Sequence, residues 1–532
     1  MASDIGIVQT KYGKVSGVPL EGKYEGITQF RGIPYAAPPL GELRWRPPVD
    51  PAGWEGVRVC DTHGRAAMQN YTEFEPNFSD FYYVGHPEMS EDCLYLNVTT
   101  GAVSPGEKRP VYIWFHGGGL FNGYSYIYIF DPSELARKGV VVVSVGHRLN
   151  LFGYMALPQL SAEQGGKSGN YGLMDEFKAL DWVTENIAAF GGDPDNITVG
   201  GQSGGTWKSG ALATSPHTRG RVKRVINQSD LFWLRSYPTI EEVEQGSRDY
   251  LKMIGVDPDA SLEELRAIDA KTLLGPKGAI GKFPSQMVWD GDYVLHREQP
   301  RNYDAFGTGL DYLAGTNFGE GSLRGRGFIP EPFRDIEDFY GYMKEFLGDL
   351  YDKYDFRNNY PVTEENLDMR ARWLTSYGMA GMGGVMVNRY FGAWRKARGD
   401  AGKTFAYRFA HIAPWRPEDI GTARDPYKLL AYHSSEMWYT FASFREGVPP
   451  VRPWQPLDFQ LADTISSYWA NFMHRGDPNG PGLPAWPISD EGFGYSNLGD
   501  TIEGHAGIEG PIEQMILEFI KRRGDLPPMP EK

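Results

Sequence analysis

Cysteine is nearly absent: Cys60 and Cys93 are the only two in 532 residues. A disulfide scaffold is therefore excluded, as is a cysteine-rich zinc or iron–sulfur site, and at most one bridge could form. Positive charge is in deficit, with 53 Lys and Arg against 68 Asp and Glu and a net charge of −15. A chain of that sign is poorly suited to a phosphate backbone, so nucleic acid is not an expected partner. Long apolar runs are missing as well. None reaches the ~18 residues of a membrane span, and no membrane partner is expected. The first residues, Met1-Ala2-Ser3-Asp4, lack the basic stretch and apolar core of a secretion signal, and Pro530-Glu531-Lys532 carries no prenylation or retention signal. The expectation is a soluble, cytoplasmic protein. No His-Glu-x-x-His pattern occurs, so neither a metal nor an organic cofactor is expected.

What is present is ample apolar content, 41%, enough to exclude disorder as a class. No internal repeat or linker-like tract interrupts the chain. Val111 to Phe115 is β-branched and aromatic and runs into His116 and three glycines, the pattern of a buried strand entering a tight loop. Gly139 to Val145 is a second such strand. From Asp175 to Phe190, apolar residues at 177, 180, 183, 187 and 190 give the 3–4 spacing of an amphipathic helix, stopped at Gly191-Gly192-Asp193-Pro194. Ile197-Thr198-Val199 is a third short strand. Strand, helix, strand at this spacing predicts an α/β fold with a parallel sheet and crossover helices. Residues from about 331 to 398 read as mainly helical, an insertion rather than sheet.

Gly200-Gly201-Gln202-Ser203-Gly204-Gly205 follows that third strand and precedes a helix predicted over 206–214. Gly-x-Ser-x-Gly between strand and helix is a nucleophile elbow, in which larger side chains beside the serine would collide with strand and helix. As a bare pattern it also fits a flexible loop. Upstream, His116-Gly117-Gly118-Gly119 has the form of an oxyanion loop, whose side-chain-free backbone leaves N–H groups bare. The two together, in this order, favour acyl transfer over a chance turn.

The chain resembles the type-B carboxylesterases, a family that includes cholinesterases and non-catalytic neuroligins. The resemblance runs over nearly its whole length: Phe30-Arg31-Gly32-Ile33-Pro34-Tyr35-Ala36-Ala37-Pro38-Pro39, Ser90-Glu91-Asp92-Cys93-Leu94-Tyr95-Leu96-Asn97, Gly169-Asn170-Tyr171-Gly172, Phe190-Gly191-Gly192-Asp193-Pro194 and Gly476-Asp477-Pro478-Asn479. It implies one α/β-hydrolase domain over 1–532, a large, mostly parallel sheet flanked by helices with helical insertions around a gorge. The acid motif falls on Gly315-Thr316-Asn317-Phe318-Gly319-Glu320-Gly321 and the histidine motif on Ala431-Tyr432-His433-Ser434-Ser435-Glu436. The resemblance thus implies a catalytic triad of Ser203 as nucleophile, His433 as base and Glu320 as acid, with an oxyanion hole from Gly118, Gly119 and Gly204. Asp311 is the rival acid, placed before the strand end; His411 and His474 are rival bases. Arg44 with Glu91 and Arg148 with Asp175 are expected buried ion pairs.

Two departures from the family stand out. Gln202 replaces the usual glutamate before the nucleophile, and the position of the usual cysteine partner of Cys93 reads Ala66-Ala67-Met68-Gln69. Two free thiols are expected. Aromatics cluster at 74–83, 124–130 and 232–233, and Tyr83, Phe232 and Trp233 are candidate substrate contacts; aromatic walls suit neutral aromatic or bulky esters. No Trp precedes Ser90 where choline-binding relatives carry one, which disfavours a choline ester. The expected activity is hydrolysis of small-molecule carboxylic esters through an acyl-enzyme. An amidase or lactonase on the same residues is the alternative, and a non-catalytic neuroligin-like role is disfavoured by the intact Ser203, Glu320 and His433.

Overall fold

The computed structural model describes residues 5–70, 87–229, 236–306, 309–320, 322, 333–375, 380–422, 424–444, 452–523 and 526–530. The chain divides into two compact units: the first is built from the described residues of 5–226 and 236–310, the second from 227–229 and those of 311–530.

The sheet of the first unit contains β1 (Val18–Pro19), β2 (Thr28–Pro34), β3 (Tyr95–Thr100), β4 (Arg109–Phe115), β5 (Val141–Val145), β6 (Gly192–Gln202) and β7 (Val222–Gln228), in the spatial order β7-β6-β4-β5-β3-β2-β1. β4 pairs in parallel with both β5 and β6, while β3 runs antiparallel to β5 and β2 antiparallel to β3. Every residue of β5 is buried, as a Val-rich strand with valines on both faces requires when both sheet faces are covered. The crossover helix α1 (Tyr171–Asn186) passes into a 3-10 turn, Ile187–Phe190, and stops at Gly191, whose φ of 82° is left-handed. The third strand is longer than the Ile197–Val199 core expected from sequence. Its turn-forming Asp193-Pro194-Asp195-Asn196 is absorbed in a register shift between Gly192 and Ile197, the way a sheet accommodates residues that cannot sustain the ladder.

The second unit holds β8 (Asp311–Asn317), β9 (Thr404–Phe409), β10 (Tyr495–Leu498) and β11 (Ile502–His505) in that spatial order, the first three parallel and the last antiparallel. Just past β7, the Ser229 N–H donates to the Gly315 carbonyl at 2.8 Å, within this unit. Among its described residues, the stretch 331–398 contains five helices and no strand. The last of these, α3 (Ala380–Ala397), packs on β8 through Phe391 and Tyr312, rings 5.6 Å apart edge to face.

Arg44 and Glu91 pair at 2.5 Å and Arg148 and Asp175 at 2.7 Å, all four side chains nearly excluded from solvent. Cys60 and Cys93 are both free and buried. No helix among the described residues is long and apolar enough to cross a membrane.

Candidate active site

In the first unit β4 is flanked by β5 on one side and β6 on the other, so the chain reverses its direction of travel across the sheet at β4. Such a switch point opens a crevice beyond the carboxyl ends of the strands. Residues 116–119 leave β4 there and Ser203 leaves β6 there. Ser203 sits between β6 and α2 (Gly204–Thr214) with φ 54° and ψ −125°, a backbone state that a residue with a Cβ holds only under constraint. The constraint is visible in its neighbours. A Cβ on Gly201 would stand 2.4 Å from the Gly205 carbonyl, and one on Gly205 would stand 2.1 Å from the Phe115 oxygen. The elbow therefore closes only with glycine on both sides of Gln202-Ser203-Gly204. The helix anchors on the serine itself: the Thr206 N–H and hydroxyl both donate to the Ser203 carbonyl, at 2.9 and 2.7 Å.

Gly118 and Gly119 have φ of 90° and 62°. Gly204 backs directly onto Gly119, whose oxygen would lie 2.2 Å from a Cβ at residue 204. Among the described residues, the N–H groups of Gly118, Gly119 and Gly204 have no acceptor within the chain; that of Gly204 is one of the open donors of a helix start. Three bare N–H groups next to a serine are suited to receiving negative charge on an oxygen. Gln202 is buried, its Oε1 against Gly117.

The second unit brings two further candidates together. Glu320, just past β8, and His433 meet at 2.5 Å, Oε2 to Nδ1. The other Glu320 oxygen accepts the Asn317 N–H at 2.7 Å. The loops carrying them are stitched by Gly319 N–H to the Ala431 carbonyl, 2.8 Å, and Asn317 Nδ2 to the Tyr432 carbonyl, 2.7 Å. A carboxylate on Nδ1 leaves Nε2 as the working nitrogen of the ring. The rival acid Asp311 opens β8, at the opposite end of that strand from Glu320, and accepts the Lys403 N–H at 3.0 Å. His411 is held on both sides, by Asp500 at 2.5 Å and Asp458 at 2.9 Å. His474 is exposed, in the last turn of α4 (Pro456–Arg475).

Motif reading gave no reason to single out two groups of residues. Glu436, three residues past His433, is fully buried; Asn317 Nδ2 donates to it at 2.5 Å, and Ser229 and Gln228 donate at 3.3 and 3.4 Å. Burial, with repulsion from Glu320 behind it, pushes its carboxyl up to about 7. Its place after the histidine was the only hint. The other group lies under the glycine loop. Lys208 is wholly buried on α2, and its Nζ donates to the His116 carbonyl at 3.0 Å. Around it are Glu176 of α1, His116 and His147, the two imidazoles stacked 4.6 Å apart. A lysine in the helix predicted over 206–214 gave no sign of being buried.

Tyr83, Phe232 and Trp233 lie outside the described residues, as do the aromatics of 74–83. In the 124–130 stretch, Tyr124 and Phe130 are buried, Phe130 against Trp114 at 5.5 Å, while Tyr126 stacks on His63 at 4.3 Å. Among the described residues, no group of three or more His, Cys, Asp or Glu is arranged to hold a metal ion.

Comparison with known proteins gives a consistent picture. The family model for the carboxylesterase family matches residues 4–503. A para-nitrobenzyl esterase of Bacillus subtilis is 30% identical, covering 91% of this chain and 93% of that protein. A fumonisin B1 esterase of Sphingopyxis macrogoltabida is 33% identical over 90% of this chain and 83% of its own. Among solved structures, the carboxylesterase EST55 of Geobacillus stearothermophilus is 28% identical with a TM-score of 0.73, covering 98% of this chain and 99% of that one.

Proposed function

The chain belongs to the carboxylesterase family, with the α/β-hydrolase fold, and is a carboxylic ester hydrolase acting on small-molecule esters; on that premise we propose that it works through an acyl-enzyme on Ser203, with His433 as base and Glu320 as acid. The observation that carries this reading is the constrained Ser203 backbone between β6 and α2, beside three N–H groups with no acceptor. Ser203 Oγ attacks the acyl carbon while His433 takes its proton. The carbonyl oxygen becomes an oxyanion held by Gly118, Gly119 and Gly204. Collapse of the tetrahedral species expels the alcohol, which receives the proton from His433, and water then repeats the sequence to release the acid. Glu320 fixes the imidazole tautomer through Nδ1 and stabilises the imidazolium. Asn317 holds Glu320 from behind.

The substrates we propose are neutral aromatic or bulky esters. A relative named for para-nitrobenzyl esters supports an aryl or benzyl group, and Gln202 places no charge beside the nucleophile to attract a cation. The two buried free thiols support a reducing, cytoplasmic setting. The test is a panel of p-nitrophenyl, benzyl and choline esters beside an anilide, with an organophosphate as active-site label. Expected are turnover of the neutral esters, little on the anilide, labelling of Ser203 alone, and a fall of about 10⁴-fold or more in kcat for Ser203→Ala. Labelling elsewhere, or a folded Ser203→Ala variant near full activity, would refute the assignment.

A further inference from the structure

Three contacts tie α2 to the glycine loop. Gly204 backs onto Gly119, Gly205 onto the Phe115 carbonyl, and Lys208 reaches the His116 carbonyl. The first two are steric and belong to the elbow. The third is electrostatic, and a surface lysine would have served no purpose there, since Lys208 is wholly buried. A buried ammonium is costly unless another group balances it. The acid that acts on it is Glu176, itself fully buried, with neither carboxylate oxygen hydrogen-bonded among the described residues.

We propose that Lys208 is a positioning residue of the esterase: its ammonium, balanced by Glu176, holds the His116 carbonyl and so fixes the glycine loop that receives the oxyanion. The inference rests on reading Gly118 and Gly119 as oxyanion donors. The loop needs such a clamp because three successive glycines are the most freely moving backbone a chain can have. His116 is the last residue before them. A charge-assisted bond to its carbonyl is roughly twice as strong as a neutral one, and it acts at the hinge where the rigid strand β4 gives way.

The surroundings make the clamp sensitive to pH. Burial draws the Lys208 ammonium down to about 8, against the lift from Glu176. The other titratable groups described around it are two imidazoles, a tyrosine and a paired aspartate. Burial, with Lys208 adding to it, holds His116 and His147 well below their ordinary range. Burial also drives the Tyr154 hydroxyl up, and Asp175 is paired with Arg148. Burial raises the Glu176 carboxyl well above its ordinary range, and Lys208 opposes that rise without cancelling it. When Lys208 loses its proton, the grip on the His116 carbonyl weakens to that of a neutral amine.

The experiment compares pH profiles of kcat and KM for p-nitrophenyl acetate in the full chain, Glu176→Gln and Lys208→Met. Organophosphate titration counts competent Ser203 in each. The wild type is expected to show an alkaline limb in kcat. Glu176→Gln removes the charge that lifts Lys208, so this limb should move to lower pH. Lys208→Met should lose the limb and lower the plateau kcat about ten- to a hundredfold, with KM nearly unchanged, as expected for a catalytic loop displaced by less than ~1 Å. A role confined to stability would lower the melting temperature and leave the limb in place. An unmoved limb in labelled, folded Glu176→Gln overturns the inference, as does Lys208→Met with wild-type kcat. If Lys208→Met does not fold, the Glu176→Gln profile decides alone. Failure of Ser203 to label in the wild type would overturn the acyl-enzyme reading and this one with it; a labelled wild type with an unmoved limb overturns this one only.

Discussion

Gly205→Ala adds a single methyl group at the closest approach of helix and sheet. The new Cβ would lie 2.1 Å from the Phe115 oxygen, with the His116 oxygen at 3.2 Å. Real Cβ contacts do not fall below 3.0 Å, and both obstacles are backbone, so no side chain can swing aside. The start of α2 and the end of β4 must therefore part by about 1 Å. Overpacking of this kind costs roughly 1–3 kcal/mol of stability. The catalytic effect should be larger in proportion. Ser203 is joined to α2 and the glycine loop to β4, so the displacement separates the nucleophile from the groups meant to hold the oxyanion. A 1 Å misplacement is worth about 10²-fold in rate, or ~2.7 kcal/mol of barrier. The assay is kcat on p-nitrophenyl acetate together with the melting temperature. Expected are a variant that melts several degrees lower and a kcat depressed about a hundredfold well below its melting temperature. The control is Gly341→Ala, at an exposed position in the middle of the helix Ile336–Leu347, where a Cβ would meet nothing within 4 Å. It should gain roughly 0.5–1 kcal/mol in stability and leave kcat unchanged. A folded Gly205→Ala enzyme with wild-type kcat would refute the argument that backbone contact sets the geometry of the elbow.

Glu436→Gln tests the buried acid behind the candidate dyad: with the folded pKa at about 7 against 4.5 for an ordinary glutamate, the native state holds a proton that the unfolded chain has lost, so stability falls as pH rises through that window. The permanently neutral glutamine escapes this loss, and its advantage in unfolding free energy over wild type, read from urea titrations, should be small near pH 5 and grow to ~3 kcal/mol above pH 7; a difference independent of pH would contradict the assignment. For His411, burial lowers the basicity, but Asp458 and Asp500 outweigh it and the net shift is upward, so the stability it lends is complete below its unfolded pKa and is lost as pH rises through the raised value. His411→Gln should accordingly cost about 2 kcal/mol near pH 5 and progressively less in alkaline buffer, and urea titrations at both ends would show it. The thiols should be inert in the native protein: burial pushes Cys60 up to about 11 and raises Cys93 well above its ordinary range, so Ellman's reagent at pH 8 should find almost no thiol before denaturation and two after it, and a Cys60–Cys93 peptide in unreduced digests would contradict the free-thiol assignment.

Short-range patterns in the sequence were enough to determine where the elbow and the glycine loop lie. Their glycines are required by backbone contacts a few residues away or across one strand pair, so the requirement is written into adjacent letters: Gly201 and Gly205 around Ser203, Gly117 to Gly119 after His116. The same holds for the Val-rich β5, whose valines at 141, 142, 143 and 145 fall on both faces and already imply that both are covered. Motif order was likewise enough to mark Glu320 and His433 as candidates, and their meeting within one unit depends on loops that the sequence could name but not place. Strand limits were legible only at their apolar centres, because the polar residues 193–196 of β6 are held by a register shift rather than by their own preference. Lys208, Glu176, His116 and His147 come from four separate segments, and nothing in their spacing distinguishes them from solvated residues. Only tertiary packing removed water from them, and removal of water is what makes a lysine a weak base and a glutamate a weak acid. Glu436 follows the same rule: its position was readable from the histidine motif, while its proton is set by the depth at which Gln228, Ser229, Asn317 and the histidine loop bury it.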